Sequence, residues 1–241
     1  MRTTAEILKI IDEFKEGYVF TYDELGFEPE KTNAVIIALN RLVKEGKLRK
    51  LSKGRYYKPQ MTEFGELKPD TFQVVKDLLQ KDKKVIGYLT GFSVFNSLFL
   101  TTQVSNTVQM GCNNEKKAIS RGMYKIRFIK QANKITEDNI PLLQILDSIR
   151  FIKDIPDTNQ NKSCNRFIAI LKKLTPDRLN QLKKLVLKYN ASTRALTGAL
   201  IDMVEADNGT QIIYESLNPA TAYSFSISTQ TLPTKDKWRI R

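Results

Sequence analysis

The stretch "NRLVKEGKLRKLSKGRYYKPQ", residues 40–60, decides the fold of the N-terminal part of this 241-residue chain. Its runs KLRKL and RYYKP are short and β-prone, and the SKG between them contains Gly54, which can adopt the positive φ of a tight hairpin. From Arg41 to Lys58 there are eight Lys or Arg residues and one acid, a local net charge of +7. The pattern predicts a basic two-stranded hairpin.

The sequence before this hairpin predicts three helices. The first is expected within residues 3–17, where a Thr-x-x-Glu capping box precedes apolar residues at helical spacing and a glycine stop. A second capping box opens a brief helix at residues 21–25, and a third helix is expected over residues 30–45. Helices followed by a basic hairpin are in the order of a winged helix-turn-helix. We therefore predict this DNA-binding fold for residues 1–60.

The third predicted helix has an outward face with the chemistry needed to contact DNA. At 100° per residue, its apolar side should pack against the first helix. The other side carries amides and cations that can pair with base edges or phosphates, around an aliphatic group that can meet a thymine methyl: Asn33, Ile37, Asn40, Arg41 and Lys44. The alternative interpretation is that Ile37 meets another helix or domain while its polar neighbours keep the surface soluble.

The predicted hairpin, or wing, adds cations that would lie along DNA phosphates while the helix contacts bases. These residues are Arg49, Lys50, Lys53, Arg55 and Lys58. The two tyrosines of the wing are adjacent, so their side chains should point to opposite faces and one of them should face the core.

Composition favours a polyanionic partner over catalysis. Lys and Arg number 39 against 26 Asp and Glu, so the net charge is +13, which attracts nucleic acid before any specific contact forms. Histidine is absent, which removes the commonest general base and metal ligand. There is no phosphate-loop motif, and acidic pairs such as Asp154 with Asp157 are expected to cap helices or face water. We expect no catalytic residue, no metal and no cofactor.

The sequence also lacks a secretory leader, and it contains no apolar run long enough to cross a bilayer. We therefore expect a cytoplasmic protein with no membrane partner. Cys112 and Cys164 are far apart and have no C-x-x-C neighbour, so both are expected to be ordinary buried thiols.

Three segments carry a family resemblance: YVFTYDELGF with NAVIIALNRLVKEGKLRKLSKGRYYKP, then YLTGFSVFNSLFLTTQVSN, then STRALTGALIDMV. Together they resemble the AbiEi-type antitoxins of bacterial type IV toxin-antitoxin systems, which act in abortive infection. The block LTGFSVFNSLFLTTQV after a winged helix is the more specific part. The resemblance implies an N-terminal domain that binds double-stranded operator DNA and represses its own operon. It also implies a C-terminal domain that counters a nucleotidyltransferase-like toxin without forming a stable complex with it.

The rest of the chain predicts a second domain of mixed structure. Residues 61–69, MTEFGELKP, contain turn formers and no clear period, so we expect an interdomain linker there. Residues 70–241 should contain a small sheet, from TTQVSNTVQMGC and MYKIRFIKQ, and a helical array from about residue 136. The segment TQIIYESLNPATAYSFSI is β-prone. The whole is expected to be an α+β protein with an AbiEi-like C-terminal domain.

A second basic cluster lies on and before the predicted strand MYKIRFIKQ, and it has two interpretations. It contains Lys116, Lys117, Arg121, Lys125, Arg127 and Lys130. We favour a solvated strand face, which also protects an edge strand from aggregation. A second polyanion surface is the alternative, although no aromatic platform for single strands is evident beside it.

The sequence thus favours a transcriptional repressor that also acts as an antitoxin. One alternative is a winged-helix regulator with a ligand-sensing C-terminal domain, which a small-molecule pocket would favour. A less favoured alternative is a nucleic-acid-processing enzyme, which would need converging carboxylates and a divalent ion.

Overall fold

The computed structural model describes residues 2–82, 84–205 and 209–241, and the chain divides into two compact units. Unit 1 comprises Met1–Leu78 and Ile119–Lys125, and unit 2 comprises Leu79–Ala118 and Ile126–Arg241. The chain therefore leaves unit 1, returns to it for seven residues, and leaves again. Helices and small antiparallel sheets occur in both units, so the predicted α+β class is confirmed.

The helices and strands follow one another along the chain, joined by turns and short 3-10 helices. Their bounds are α1 (Arg2–Asp12), β1 (Val19–Thr21), α2 (Thr32–Lys44), β2 (Arg49–Ser52), β3 (Arg55–Tyr57), β4 (Gln60–Thr62), β5 (Gly65–Leu67), α3 (Thr71–Leu79), β6 (Gln80–Lys81), β7 (Lys84–Val85), β8 (Gly87–Thr90), α4 (Phe92–Phe95), β9 (Thr107–Cys112), β10 (Ile119–Arg121), β11 (Tyr124–Lys130), α5 (Ile140–Arg150), α6 (Gln160–Leu171), α7 (Pro176–Val186), α8 (Ala191–Asp202) and α9 (Gln211–Glu215).

Unit 1 begins with the expected order of helices and hairpin. The brief second helix is a single 3-10 turn, Asp23–Leu25, and Glu24 Oε1 accepts a hydrogen bond from the Thr21 amide at 3.0 Å, as its capping box predicts. The wing strands β2 and β3 pair antiparallel, with Gly54 at φ 73° in the turn. Strand β1 adds to the wing in the order β1-β3-β2. This arrangement is that of a winged helix-turn-helix.

The core of the winged helix follows from the amphipathic pattern of α2. Val35, Leu39 and Leu42 are buried as predicted, and they pack with apolar residues of α1, β1 and β3. Burial of each such side chain contributes about 1.5–3 kcal/mol, so this stripe fixes the orientation of α2. The opposite side of α2 is consequently left outside the core.

Residues 61–69 do not form the predicted linker. Strands β4 and β5 pair antiparallel in this segment, with Gly65 at φ 107° in the turn. Glu66 ties the hairpin to the wing, because Arg49 Nε donates to its Oε2 at 2.8 Å and Tyr57 Oη donates to its Oε1 at 3.0 Å. Two strands of three residues are too short to show an alternating pattern, so the sequence of this segment indicates only turns. Unit 1 therefore continues through the hairpin and most of α3, beyond the predicted boundary at residue 60.

Both tyrosines of the wing are buried, whereas the sequence predicted one. Tyr56 packs in the helical core and Tyr57 lies on the other face of the strand, toward Glu66. Burial, followed by the hydrogen bond to Glu66, raises the pKa of Tyr57 to about 12. The sheet of the winged helix is thus covered on both faces.

Asp77 of α3 holds three parts of unit 1 together. Arg55 of the wing donates to its Oδ2 at 2.6 Å, and Arg121 of β10 donates to both of its oxygens at 2.5 and 2.8 Å. Arg121 also donates to the carbonyl of Val74 at 2.6 Å and is 4% exposed. Burial disfavours the Asp77 carboxylate, but the hydrogen bonds from Arg121 and Arg55 outweigh it and lower the pKa of Asp77. Arg121 is therefore a buried structural residue and not part of the predicted second basic surface.

Unit 2 places a small sheet against a helical array. Strands β8 and β9 pair antiparallel with Tyr88 opposite Gly111, where a Cβ would lie 2.3 Å from the tyrosine ring. The part of β11 in unit 2 lies beside β9. Between β8 and β9, helix α4 is a single short turn that covers only Phe92–Phe95.

The C-terminal segment of unit 2 is mainly helical and irregular, so its predicted β character is wrong. Residues 211–215 form α9, and the single β-bridge nearby joins Tyr223 to Ile240. Trp238 is fully buried against Gly198 of α8 and donates from Nε1 to Asp202 Oδ2 at 2.8 Å. Its role is core packing.

Three further expectations concern ligands and membranes. Cys112 and Cys164 are buried free thiols, as predicted. Within residues 2–82, 84–205 and 209–241, no three acidic or cysteine side chains converge as a metal site would require. In the same residues, no helix combines the length and apolar character needed to cross a membrane.

The contacts of Asp77 predict a stability loss in Asp77→Asn. The substitution removes the charge facing a buried guanidinium, so we expect unfolding free energy to fall by about 3 kcal/mol at neutral pH. The folded pKa of Asp77 lies below the unfolded value of about 3.9, so its contribution is present above that pH and is lost as the pH falls further. Hydrogen exchange of wing and α3 peptides should accelerate in the variant. The unfolding free energy of the variant should depend less on pH in the acid range than that of the wild type.

The exposed carboxylate Glu13 supplies the matched control for this test. Glu13→Gln also removes one negative charge from unit 1, at a residue with no ion pair among the described residues. Equal protection of the wing in the two variants would contradict the role assigned to Asp77.

Candidate nucleic-acid interface

The outward face of α2 presents an apolar side chain between polar ones. Ile37 is 70% exposed, and Asn33 and Lys44 are exposed on the same side of the helix. An exposed aliphatic side chain flanked by an amide and a cation on one helix face can contact a thymine methyl in a major groove while its neighbours contact base edges or phosphates. The structure therefore brings together three of the residues predicted on this helix.

The other two predicted residues of α2 have partners within unit 1. Tyr56 Oη donates to Asn40 Oδ1 at 3.4 Å, and Asn40 is half-buried. Arg41 is exposed, and its Nε lies 2.9 Å from Glu45 Oε1. Because this hydrogen bond and its partial burial restrict how the Asn40 amide can turn, Asn40 is less available than Asn33 for a bidentate contact with adenine. Asn33 is the better placed of the two asparagines.

The cations of the wing divide into two sets. Arg49 and Arg55 are held inside unit 1, by Glu66 and by Asp77 respectively. Lys58 is half-buried, with Nζ 4.0 Å from Asp12 Oδ1. Lys50 and Lys53 are exposed and make no ion pair among the described residues. The net charge read from residues 41–58 consequently overstates what a ligand can contact.

The acids that neutralise the wing lie outside the basic stretch itself. Glu66 is 17 residues from Arg49, and Asp77 is 22 residues from Arg55. Sequence reasoning missed both, because neither acid is near its arginine in the chain. Three exposed lysines of this stretch make no ion pair among the described residues, and each could neutralise one phosphate: Lys44, Lys50 and Lys53. We call these three lysines with Asn33 and Ile37 the α2–wing face.

The second basic cluster is divided between the units. Lys125 is exposed in unit 1, whereas the buried Arg121 does not contribute to any surface. The remaining residues are exposed in unit 2: Lys116, Lys117, Arg127 and Lys130. Lys116 Nζ lies 5.4 Å from the centre of the Phe128 ring, and Lys130 lies 2.8 Å from Glu115 Oε1.

Comparisons with known proteins bear on the fold and the family. The fold is similar to that in the crystal structure of the RV2827C protein from Mycobacterium tuberculosis, with a TM-score of 0.60 and 11% identity over 92% of this chain and 84% of that chain. At this identity the likeness shows the fold alone. No curated protein matches the sequence. A family of unknown function, DUF6088, matches residues 6–179, which is well over half of the chain. The protein therefore belongs to the DUF6088 family.

Proposed function

We propose that this protein binds double-stranded DNA through the α2–wing face and represses its own operon, and that it also acts as the antitoxin to a nucleotidyltransferase-type toxin. The observation that carries the DNA-binding part is the exposure of Ile37 between Asn33 and Lys44 on the second α-helix of a winged helix-turn-helix. The site of action proposed is the bacterial cytoplasm.

The α2–wing face has the division of labour found in DNA-binding domains. In a helix-turn-helix, the second helix enters the major groove and a few of its side chains reach base edges. Asn33 and Ile37 would make the base contacts here. Lys44, Lys50 and Lys53 would contact phosphates, which position the protein without carrying sequence information. The net charge of +13 would accelerate encounter with DNA.

The antitoxin part of the proposal rests on the AbiEi resemblance, chiefly the block LTGFSVFNSLFLTTQV. In the structure this block covers the end of β8, α4 and the loop that follows, and Val94 and Phe95 within it are buried in unit 2. Unit 2 has its own hydrophobic core. An activity located there would not require the α2–wing face.

A second candidate function is a winged-helix regulator whose unit 2 senses a small ligand. The observation that favours it is a cavity in unit 2 lined by three cationic side chains. This candidate shares the DNA-binding part and differs in what unit 2 does. A nucleic-acid-processing activity has no such observation in its favour.

The first test of this proposal is sequence recognition by α2. Asn33→Ala should weaken operator binding by about 1–3 kcal/mol and relax preference at one base pair, because a base contact is lost. Gel shifts on the operator and on random DNA measure both effects. Asn165→Ala, at an exposed position of α6, is the control and should bind normally. Equal weakening on operator and random DNA would contradict base contact by Asn33.

The second test is the salt dependence of DNA binding. Replacing Lys50 and Lys53 by Gln should reduce the slope of log affinity against log salt by about 2, because two fewer counterions are released. The exposed pair Lys172 and Lys184, replaced in the same way, controls for the lost net charge. Arg55 is unsuitable here because its loss would disturb Asp77. If the slope stayed at the wild-type value, the wing would lie away from DNA.

The third test separates repression from toxin neutralisation. A full-length variant carrying Asn33→Ala, Lys50→Gln and Lys53→Gln should lose repression of an operon reporter. Expressed from an independent promoter, it should still relieve growth arrest by the toxin of the same operon. Phe95→Asp, which places a charge in the core of unit 2, should abolish relief by unfolding and serves as the negative control.

The full chain is preferred to a truncation for this third test. A fragment beginning near Asp70 would keep the return segment Ile119–Lys125 and its contact between Arg121 and Asp77. It would lose the wing, and with it the hydrogen bond from Arg55 to Asp77. Loss of relief in the folded full-length variant would refute separate roles for the α2–wing face and unit 2.

A further inference from the structure

A cavity of about 210 Å³ in unit 2 is lined by cations from three separate parts of the chain. Lys130 is the last residue of β11, Arg150 is the last residue of α5, and Lys188 lies between α7 and α8. Gln131, Ala132, Tyr189 and Asn190 complete the lining. We call this feature the cationic cavity. The fold thus brings together cations up to 58 positions apart, a grouping that no local sequence pattern indicates.

The polar groups beneath the cationic cavity are fixed by a buried hydrogen-bond network. Gln131 Nε2 donates to the hydroxyls of Tyr88 and Tyr189 at 2.9 and 2.8 Å. Those two hydroxyls donate in turn to opposite oxygens of Asp147, at 2.7 and 2.8 Å, and Thr90 Oγ1 donates to the same carboxylate at 2.7 Å. All five side chains are buried. Their hydrogen-bonding capacity is used within the network, so a ligand would be recognised by the surrounding cations.

The charges around the cationic cavity are not balanced. Arg150 and Lys188 make no ion pair among the described residues. Lys130 pairs with Glu115 at 2.8 Å, but both side chains are largely exposed, and such pairs contribute little. The Asp147 carboxyl lies beneath the cavity, where three hydroxyls donate to it and burial raises its pKa, so three cations face two carboxyl groups. Like charges around one concavity repel each other, and an anion placed between them relieves that repulsion.

We propose that the cationic cavity binds a phosphate group, carried either by a small phosphorylated molecule or by the end of a nucleic-acid strand. Its volume is below the roughly 300–1,000 Å³ of pockets for drug-sized ligands, which suits a compact anion. Arg150 can offer a planar fork of donors to phosphate oxygens, and lysines bind phosphate as point charges. This site lies outside the α2–wing face and does not depend on DNA binding; with a small phosphorylated ligand it would be the sensing site of the second candidate function.

The proposal is tested by titration calorimetry of the full chain with inorganic pyrophosphate and with a nucleoside 5′-monophosphate. Arg150→Gln and Lys188→Gln should each weaken binding by about tenfold or more, because a charged contact to phosphate is lost. Glu115→Gln should tighten binding, because Lys130 is then released from its pair. Lys172→Gln removes the same charge from unit 2 outside the cavity and should change affinity less than about twofold.

Two additional variants and ligands make the outcome decisive. Arg150→Lys retains the charge without the planar fork, so it should bind better than Arg150→Gln and, in an exposed position, should fold normally. Oligonucleotides with a 5′-phosphate and with a 5′-hydroxyl identify the source of the phosphate. Tighter binding of the 5′-phosphorylated strand than of the nucleotide assigns the site to strand ends, and the reverse order assigns it to small molecules. Absence of binding by wild type, or equal loss in the Lys172→Gln control, would overturn the proposal.

Discussion

Unit 1 depends on one carboxylate shared by two arginines. Asp77 accepts hydrogen bonds from Arg55 in the wing and from Arg121 in the return segment 119–125, and so links pieces of chain 22 and 44 residues away. A buried guanidinium without a carboxylate partner would lower the stability of unit 1 far more than an unpaired guanidinium exposed to water. The folded position of Arg121 therefore requires Asp77. The same contact determines that α3 and the return segment belong with the winged helix. A winged helix of 60 residues would lack both.

This arrangement changes how the basic character of the wing should be understood. A run of cations suggests a uniform phosphate-binding surface. Both arginines of the wing, however, are paired with acids from other parts of unit 1. Arginine suits such internal roles, because its planar fork binds a carboxylate through two hydrogen bonds, whereas lysine remains a hydrated point charge. In the wing, Arg49 and Arg55 stabilise unit 1, while Lys50 and Lys53 remain exposed. The division between structural arginines and available lysines is a physical one, and it limits the proposed interface to fewer residues.

Local signals explain what could be predicted from the sequence. The apolar stripe of α2, the glycine of the wing turn and the capping box at Thr21 each act within a few residues, and each has the expected structure. The exposure of Ile37 also followed from helical spacing alone. What failed depends on distant contacts or on very short elements. The sequence predicts a linker where the β4–β5 hairpin forms. It predicts β structure where α9 forms, because isoleucine is β-prone, whereas Ile213 is buried in the helical array.

The candidate sites show the same limit more sharply. Sequence spacing placed Asn40 on the outward face of α2 but could not reveal that Tyr56 would occupy its oxygen. Arg121 belongs to a cluster of cations on and before one predicted strand, yet the carboxylate that pairs with it, Asp77, lies in helix α3. At the cationic cavity, sequence reasoning misses a group of cations instead of predicting one. Arg150 and Lys188 are 38 positions apart and become neighbours only through the packing of α5, α7 and α8. Charge density along a chain therefore overestimates binding where acids fold back, and it underestimates binding where separate helix ends converge.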